Sequence, residues 1–236
     1  MTGLPALPRR SRAYDPNCTL CPRLATFLAA TRRRHPDYWA RPVPSFGAAR
    51  PRIVIVGLAP GMHGANRTGR PFTGDHAGIL LYGTLHQAGL ASASHATSAH
   101  DGLRLREVRI VNAVKCVPPG NKPLAREIRR CNAYLAHELR ALRRVRVYLA
   151  LGRVAHEALL LALGLARSRY RFAHGREHAL DAARWLIDSY HCSRYNTATR
   201  RLTPRMFRAV IARACRRAGL AVPPGLSRSG RPRSAR

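Results

Sequence analysis

Residues 57–75 are the part of the chain richest in side chains and backbone positions suited to chemistry. This segment, GLAPGMHGANRTGRPFTGD, contains five glycines and two prolines. Glycines let a backbone approach a ligand closely and let its amides point at anions. A nucleoside-triphosphate loop would need a Lys followed by Ser or Thr, and the segment contains no Lys, which excludes that class. Phe72 and Asp75 add an aromatic ring and a carboxylate, which favours a ligand site over the alternative of a merely tight connection.

A second group of candidate residues lies in residues 190–203, YHCSRYNTATRRLT. A single His after a strand is ordinarily a hydrogen-bonded strand-end residue, and that interpretation stays open for His191. Its neighbours include hydroxyl, amide and guanidinium groups, which are the groups that hold a DNA backbone. They are Ser193, Asn196, Thr197, Arg194, Arg200 and Arg201.

Four cysteines could bind a metal centre. Cys18 and Cys21 form a C-x2-C pair, and Cys116 and Cys131 form a second pair separated by fourteen residues. Four thiolates suit either tetrahedral zinc or an iron–sulfur cluster, and spacing alone does not choose between them. Unligated cysteines are the third interpretation. The apolar neighbourhood of Cys215 favours a core position for that thiol.

The net charge of the chain indicates a polyanionic partner. Lys and Arg total 42 against 11 Asp and Glu, which gives a formal charge of +31 over 236 residues. Such a charge destabilises a compact monomer unless a polyanion such as nucleic acid neutralises it. Codon bias in a GC-rich bacterial genome explains Arg over Lys but not the scarcity of acids. The N-terminus lacks a secretory signal and no apolar stretch could span a bilayer, so we expect a cytoplasmic, nucleoid-associated monomer without membrane contact.

The apolar patterns predict the elements that position these residues. Buried strands are expected at residues 53–57, 108–114, 145–151 and 185–189, and helices at 78–88, 124–142, 154–163 and 204–218. Their alternation predicts an α/β fold: a three-layer αβα sandwich with a central, mainly parallel four-stranded sheet. We expect one domain over residues 1–220 and a basic disordered tail over 221–236. Residues 91–102 are expected to form a surface loop.

This arrangement predicts one composite site. In such sheets ligands bind beyond the carboxyl ends of the strands. Both chemical segments begin where a predicted strand ends, and so does Lys115, which precedes Cys116. The candidate residues should therefore meet at one edge of the sheet.

Taken together, the motifs resemble the uracil-DNA glycosylase superfamily, and most closely its family 5, or type b, branch. Residues 57–61 running into 66–75 resemble the first family motif, and residues 191–203 resemble the third. The four cysteines at 18, 21, 116 and 131 resemble the family's cluster ligands. The resemblance runs from about Cys18 to the last predicted helix.

The resemblance implies the partners, cofactor and site residues. The partner would be double- or single-stranded DNA containing uracil or other deaminated bases, and the cofactor a [4Fe–4S] cluster on the four cysteines, with zinc as the alternative. Phe72 would stack on a flipped base, and Asn112 would hydrogen-bond its Watson–Crick edge, although a strand-end cap is the alternative for Asn112. Further substrate-binding residues would be Gly57, Ala59 and Asn196, and DNA-binding residues Arg67, Arg194, Tyr195, Arg200 and Arg201. Arg194 and Tyr195 would also wedge into the gap left by the base.

Two departures from the family pattern bear on catalysis. Leu58 stands where family 4 enzymes carry an acid, so we expect Asp75 to supply the carboxylate. Cys192 replaces the usual Pro, which puts the rigidity of the His191 loop in question. Breaking the glycosidic bond leaves a positive sugar and an anionic base, so we predict that Asp75 stabilises the first and His191 the second.

Two alternative functions remain open. The first is a glycosylase of broader range that also removes hypoxanthine, xanthine or other altered bases, which a less polar pocket around Leu58 would favour. The second is a non-catalytic, metal-containing DNA-binding protein, which would use the cysteines and arginines but would not need Asp75 beside Phe72.

Overall fold

Six strands form one sheet in the computed structural model, which describes residues 13–227. The strands are β1 Phe46–Gly47, β2 Ile53–Gly57, β3 Val108–Asn112, β4 Val147–Leu151, β5 Glu177–Ala179 and β6 Trp185–Ser189. Their order is β1-β3-β2-β4-β6-β5, and β3, β2, β4 and β6 are mutually parallel. The short strands β1 and β5 pair antiparallel at the two edges.

The central strands are buried on both faces. Every residue of β2 (IVIVG) and of β4 (VYLAL) is buried, which is why these strands read as continuous apolar runs rather than alternating ones. In register, Gly57 of β2 pairs with Asn112 of β3. The carboxyl ends of the parallel strands therefore form one edge of the sheet, and their amino ends form the opposite edge.

Helices cover both faces of the sheet. They are α1 Pro22–Arg34, α2 Ala65–Thr68, α3 His76–Gln87, α4 Ala125–Ala141, α5 Arg153–Leu163, α6 Arg194–Ala198, α7 Pro204–Arg217 and α8 Pro224–Ser227, with 3-10 turns at Pro119–Asn121 and Arg167–Arg169. Residues of α3 and α7 pack on one face, among them Leu81 and Phe207, and residues of α4 and α5, such as Leu135 and Leu159, pack on the other.

Local sequence explains where the last long helix begins. The hydroxyl of Thr203 accepts a hydrogen bond from the Met206 amide at 3.2 Å, and Pro204 occupies the first helical turn. Ser and Thr satisfy free amides at this position, and Pro has no amide to lose there.

The predicted α/β sandwich with a mainly parallel sheet is confirmed, with six strands rather than four. The two unpredicted strands are two and three residues long, too short to give an alternating pattern. The predicted strand at 108–114 ends at Asn112, and the one at 145–151 begins at Val147. Helix α1 was not predicted; within it only Leu24, Leu28 and Thr31 are buried, a weak apolar stripe.

The start of the predicted tail is ordered against the fold. Leu226 in α8 is buried in the core that contains α3 and α7. The rest of that tail, residues 228–236, lies outside the described residues, as do residues 1–12. Among residues 13–227, none of the helices has the length and apolar character needed to cross a membrane.

Candidate active site

The predicted site residues meet at the carboxyl edge of the sheet, around a cavity of about 450 Å³. The loop after β2, the start of α3, the end of β3 and the loop after β6 all contribute to its wall. Seven residues singled out in the sequence line it: Ala59, Phe72, Asp75, Asn112, His191, Ser193 and Arg194. Leu58 lines it too. The expectation of one composite site at this edge therefore agrees with the geometry.

Asp75 lies at the N-terminus of α3 but does not cap that helix. Its carboxylate instead accepts a hydrogen bond from the Ala65 amide at 3.2 Å. Burial raises the pKa of this carboxyl, while the Ala65 amide and the charge of Arg67 oppose the rise. The acid is thus half-buried, partly desolvated and turned toward the cavity wall.

The glycines of the β2–α3 loop make room for that carboxylate. A Cβ on Gly61 would lie 2.5 Å from Asp75 Oδ1, and a Cβ on Gly64 would overlap the carboxylate. Any side chain at either position would displace Asp75. The glycine-rich motif here packs the backbone against an acid of the same loop, rather than exposing amides to a phosphate.

Asn112 lies in the cavity wall and has a buried side-chain oxygen without a partner in the described part of the chain. The residue is 4% exposed, and Oδ1 has no hydrogen-bond partner among residues 13–227. A Cβ on Gly57 would lie 2.5 Å from this oxygen and 2.7 Å from the Phe72 ring, so Gly57 lets the two side chains approach each other. An unsatisfied buried polar atom costs about 1–3 kcal/mol. If Asn112 served only to cap the end of the strand, its Oδ1 would have a hydrogen-bond partner. A ligand that offers a hydrogen-bond donor would supply the missing partner.

Phe72 is held in an unfavourable backbone conformation. Its φ is +56°, in the left-handed region that non-glycine residues rarely adopt, and its side chain is 6% exposed. Such a conformation costs on the order of 1–3 kcal/mol and persists only where the surroundings impose it. The Tyr82 hydroxyl, which donates to the Pro71 carbonyl at 2.6 Å, holds the preceding residue. The ring is thereby fixed in the wall, with its centroid 6.0 Å from that of His191 and the planes 28° apart.

His191 is neutral at physiological pH. Burial lowers the pKa of its imidazole to about 4, because a charged ring would be poorly solvated there. Its ring nitrogens have no hydrogen-bond partner in the part of the chain that the structure describes, and are free to face a ligand.

Other contacts supply the rigidity that Pro would have given the His191 loop. The Asn196 amide donates to the His191 carbonyl at 2.8 Å, and the Ser193 hydroxyl caps α6. Cys192 is fully buried in the core. A contact of 3.1 Å between His76 Nε2 and the Thr197 hydroxyl joins this loop to the start of α3. Asn196 therefore acts on the loop, and it does not line the cavity.

The remaining predicted DNA-binding residues, Arg67, Tyr195, Arg200 and Arg201, do not line the cavity. Tyr195 is 71% exposed, the largest exposed fraction among the big apolar side chains described. Arg67 and Arg200 are exposed, and the exposed Arg201 places its guanidinium 4.5 Å from the centre of the Tyr190 ring. Asn121, which sequence reasoning missed, does line the cavity and has a φ of +57°. The Pro-Pro-Gly-Asn turn that contains it was the available signal.

Residues 91–102, predicted as a surface loop without a chemical role, hold the site loop in place. Asp101 accepts two hydrogen bonds from the guanidinium of Arg70, one of them 2.8 Å long, and Arg70 is 4% exposed. The Arg70 contact holds the pKa of the Asp101 carboxyl well below its usual range. Arg70 Nε also donates to the Thr73 hydroxyl at 2.7 Å. The two ends of this ion pair are thirty-one residues apart, and nothing in the sequence pattern connects them.

The four predicted metal-ligand cysteines converge on one small cavity of about 20 Å³. Cys21 begins α1, Cys131 lies in α4, and Cys116 follows β3. The Lys115 amide donates to Cys131 Sγ at 3.3 Å, and the Tyr134 hydroxyl donates to Cys18 Sγ at 3.4 Å. Burial, with a smaller contribution from the neighbouring sulfurs of Cys131 and Cys18, raises the pKa of Cys21 to about 11. Four converging sulfurs with donors aimed at two of them fit a site for thiolate ligands.

A further group of metal-binding side-chain types lies beneath the His191 loop. Asp188 faces His156 Nδ1 at 2.7 Å and His178 Nε2 at 3.2 Å. His156 Nε2 also lies 2.9 Å from the Tyr170 carbonyl. These hydrogen bonds occupy the ligand atoms, so the group is a buried ionic network behind the last parallel strand.

Comparison with known families and proteins gives a consistent result. The model of the family described as the Uracil DNA glycosylase superfamily matches residues 44–215. The Type-5 uracil-DNA glycosylase of Thermus thermophilus is 50% identical over 208 residues, covering 86% of this chain and 94% of that protein. The enzyme of the same name from Mycobacterium tuberculosis is 43% identical over 211 residues, covering 86% and 79%. The Type-4 uracil-DNA glycosylase of Archaeoglobus fulgidus is 33% identical over 155 residues, covering 63% and 69%.

Proposed function

The chain belongs to the uracil-DNA glycosylase superfamily, and we propose that it removes uracil from DNA by hydrolysing the N-glycosidic bond. A base inside a duplex is inaccessible, so the nucleotide must be extruded into a pocket, at a cost of a few kcal/mol that is lower for mispaired bases. The observation that carries the proposal is the unpaired Oδ1 of Asn112 in the wall of a cavity that also holds Asp75 and His191.

Asn112 and Phe72 would recognise the base. The N3–H of uracil is a donor that the unpaired Oδ1 of Asn112 can accept, and the side-chain amide can donate to O4. Cytosine has no proton on N3 and carries an amino group at C4, so it would leave the buried oxygen unsatisfied and set two amino groups against each other. Phe72 would stack on the base because its ring is already fixed in the cavity wall. The pocket would therefore select uracil before any bond is broken.

Asp75 and His191 would stabilise opposite charges as the bond breaks. The electron pair of the C1′–N1 bond leaves with the base, giving a positive sugar and an anionic pyrimidine. The Asp75 carboxylate would stabilise the sugar and orient the water whose oxygen bonds to C1′. A neutral His191 would donate an N–H to O2 of the departing base, and its pKa near 4 keeps that donor neutral before the reaction. The proton that the water loses neutralises the uracil anion, so the products are free uracil and an abasic site.

The apolar part of the wall supports a wider substrate range. Leu58, Ala59, Pro60 and Ala77 line the cavity and would pack against a base without reading its edge. A volume of about 450 Å³ is within the range of pockets for small organic ligands. We therefore include hypoxanthine and xanthine as additional substrates. A non-catalytic DNA-binding protein would gain nothing from an acid lodged against Gly61 and Gly64.

We also propose that Cys18, Cys21, Cys116 and Cys131 bind a [4Fe–4S] cluster with a structural role, with zinc as the alternative. When bound, such a cluster would crosslink α1, the segment after β3, and α4. The four cysteines lie outside the cavity that holds Asp75 and His191, so no catalytic step would use the cluster. Iron and acid-labile sulfide measured on protein purified without oxygen test this assignment; stoichiometric zinc without iron would overturn it.

A cleavage assay tests the main proposal. The protein is incubated with a labelled duplex containing one U·G pair and then treated with alkali, which cuts DNA only at an abasic site. We expect cleavage at the uracil and none in the same duplex with thymine. Equal cutting of both duplexes, or of neither, would contradict the proposal. The same assay with hypoxanthine tests the wider range, and the predicted monomeric state can be measured by sedimentation.

A further inference from the structure

A second cleft lies at the opposite edge of the sheet from the cavity. Its volume is about 940 Å³, and six of its thirteen lining residues are arginines. Three of these immediately precede the parallel strands β2, β4 and β6, two more lie in the turn between α4 and β4, and the last ends α7. The six are Arg52, Arg143, Arg144, Arg146, Arg184 and Arg217. We call this group the arginine cleft.

The arginine cleft carries more positive charge than its neighbours neutralise. Asp181 pairs with Arg184 at 2.7 Å, Glu177 with Arg217 at 2.6 Å, and Glu107 with Arg52 at 3.6 Å. The other three arginines, at 143, 144 and 146, are exposed and form no ion pair with any residue from 13 to 227. Holding these charges together is unfavourable unless an anion binds among them.

The lining indicates a phosphate backbone rather than a small organic molecule. Pockets for such molecules are mostly apolar, whereas here the one aromatic residue, Trp185, already has the Arg217 guanidinium 3.5 Å from its ring centre. Guanidinium groups bind phosphate oxygens through paired hydrogen bonds. A cleft of this size lined by arginine suits a polymer with a regular spacing of phosphates, as in DNA.

The cleft and the cavity open at opposite edges of the sheet. The parallel strands are five residues long, so their two ends lie about 17 Å apart. Arg52 and Arg184 immediately precede β2 and β6, and residues that follow these two strands line the cavity. A straight duplex that lies across the carboxyl edge therefore does not reach the cleft at the amino edge.

We propose that the arginine cleft is a second DNA-binding site, which holds a separate duplex segment through its phosphates while the cavity engages another. This goes beyond the proposed glycosylase function, because it predicts that one chain binds two segments. The enzyme could then transfer between neighbouring segments without fully dissociating.

The test measures how many uracil-free duplexes each full-length chain binds. Protein is sedimented with excess fluorescent duplex at low salt, and we expect two duplexes per chain for the wild type. Arg143→Glu with Arg144→Glu should bind one, with the affinity for the second duplex reduced at least about tenfold. The matched control, Arg169→Glu with Arg171→Glu, makes the same charge change at two exposed arginines outside the cleft and should still bind two.

Cleavage of a short uracil duplex separates this proposal from the proposed function. Both double variants should cleave at rates within about twofold of the wild type, since neither changes the cavity, and this also shows that they fold. One duplex per wild-type chain, an unchanged stoichiometry in the cleft variant, or an equal loss in the control would overturn the second site. Binding of polyglutamate at the arginine cleft that DNA cannot displace would also overturn the second DNA-binding site. A wild type that binds two duplexes but never cleaves uracil would refute only the glycosylase function.

Discussion

Asp75 is the residue on whose charge the proposed chemistry depends most. Asp75→Asn keeps the size and the hydrogen bond from Ala65 but removes the negative charge opposite the developing positive sugar. We expect the single-turnover rate on a U·G duplex to fall by about 10² or more, in line with loss of one preorganised electrostatic group. Affinity for an uncleaved uracil duplex should hold or rise, because a carboxylate repels phosphates.

The control for this variant is Glu157→Gln, which neutralises an exposed carboxylate paired with Arg167. Its cleavage rate should match the wild type. If Asp75→Asn also cleaves at the wild-type rate, the acid lies elsewhere and the residue 57–75 loop is not the catalytic centre.

Asn112 is the residue on which base recognition depends. Asn112→Ala removes the unpaired oxygen and the amide that would read the pyrimidine edge, but no phosphate contact. Cleavage of uracil should therefore fall more than DNA affinity, and more than cleavage of hypoxanthine. Single-turnover rates on the two duplexes measure the ratio directly. Equal losses on both bases would show that Asn112 does not read the base.

His191 predicts a specific pH dependence. Because the pKa of its folded-state imidazole is about 4, the ring stays neutral as the pH falls from 8 to the low 5s, where an ordinary His would already be protonated. Protonation of His191 should therefore not reduce the single-turnover rate over that range, and should reduce it only below that range. A decline centred near pH 6.5 would show that the catalytic imidazole is not desolvated.

At the scale of elements, the loop before α3 is held by contacts from distant parts of the chain. Arg70 joins it to the 91–102 loop through Asp101, and the His76–Thr197 contact joins α3 to α6. These connections impose the left-handed backbone of Phe72 and the placement of Asp75. The site is therefore rigid because the loop of residues 57–75 contacts both the loop of residues 190–203 and the loop of residues 91–102.

The ion pair between Arg70 and Asp101 should matter for stability. Asp101→Asn leaves the Arg70 guanidinium buried without its counter-charge, and removing one partner of such a pair costs about 3 kcal/mol. Asp181→Asn is the control, since its pair with Arg184 is exposed and should contribute little. Urea unfolding at neutral pH measures both, and equal small effects would show that Arg70 is solvated.

The ion pair between Arg70 and Asp101 also predicts how the difference in unfolding free energy between wild type and Asp101→Asn varies with pH. The pKa of Asp101 is lower in the folded state than in the unfolded state, so its contribution is fully present above the unfolded pKa of about 3.9. That contribution is lost as the pH falls through the folded value. The gap in unfolding free energy between wild type and Asp101→Asn should therefore be constant from pH 5 to 7 and narrow only in strong acid.

At the scale of the whole molecule, the charge of +31 should make DNA binding steeply salt-dependent. Each phosphate contact contributes about 0.9 to the slope of log affinity against log salt. Deleting residues 228–236, which contain four arginines, should reduce that slope for a uracil duplex. Single-turnover cleavage at saturating enzyme should be nearly unchanged, because no cavity residue is removed. An unchanged slope would show that this segment does not touch DNA.

The sequence by itself determined the features that depend on local chemistry. Sequence patterns were enough to predict strands β2 and β6, the glycine-rich loop and the paired cysteines. Each of these features is marked by apolar runs, turn residues or metal-ligand residue types that lie within a few residues of one another. The parallel order of strands then placed residues 57–75 and 190–203 at one edge. The family resemblance rested on the same motifs.

The tertiary structure alone decided which distant residues meet. The contact of Arg70 with Asp101, the space that Gly64 leaves for Asp75 and the unpaired oxygen of Asn112 depend on how separate elements pack, and no local pattern encodes them. The arginine cleft gathers arginines from the residue before β2, the α4–β4 turn, the residue before β6 and the end of α7. In the sequence these arginines are indistinguishable from the rest of a uniformly basic chain, because charge has no periodicity that reveals which side chains share a surface.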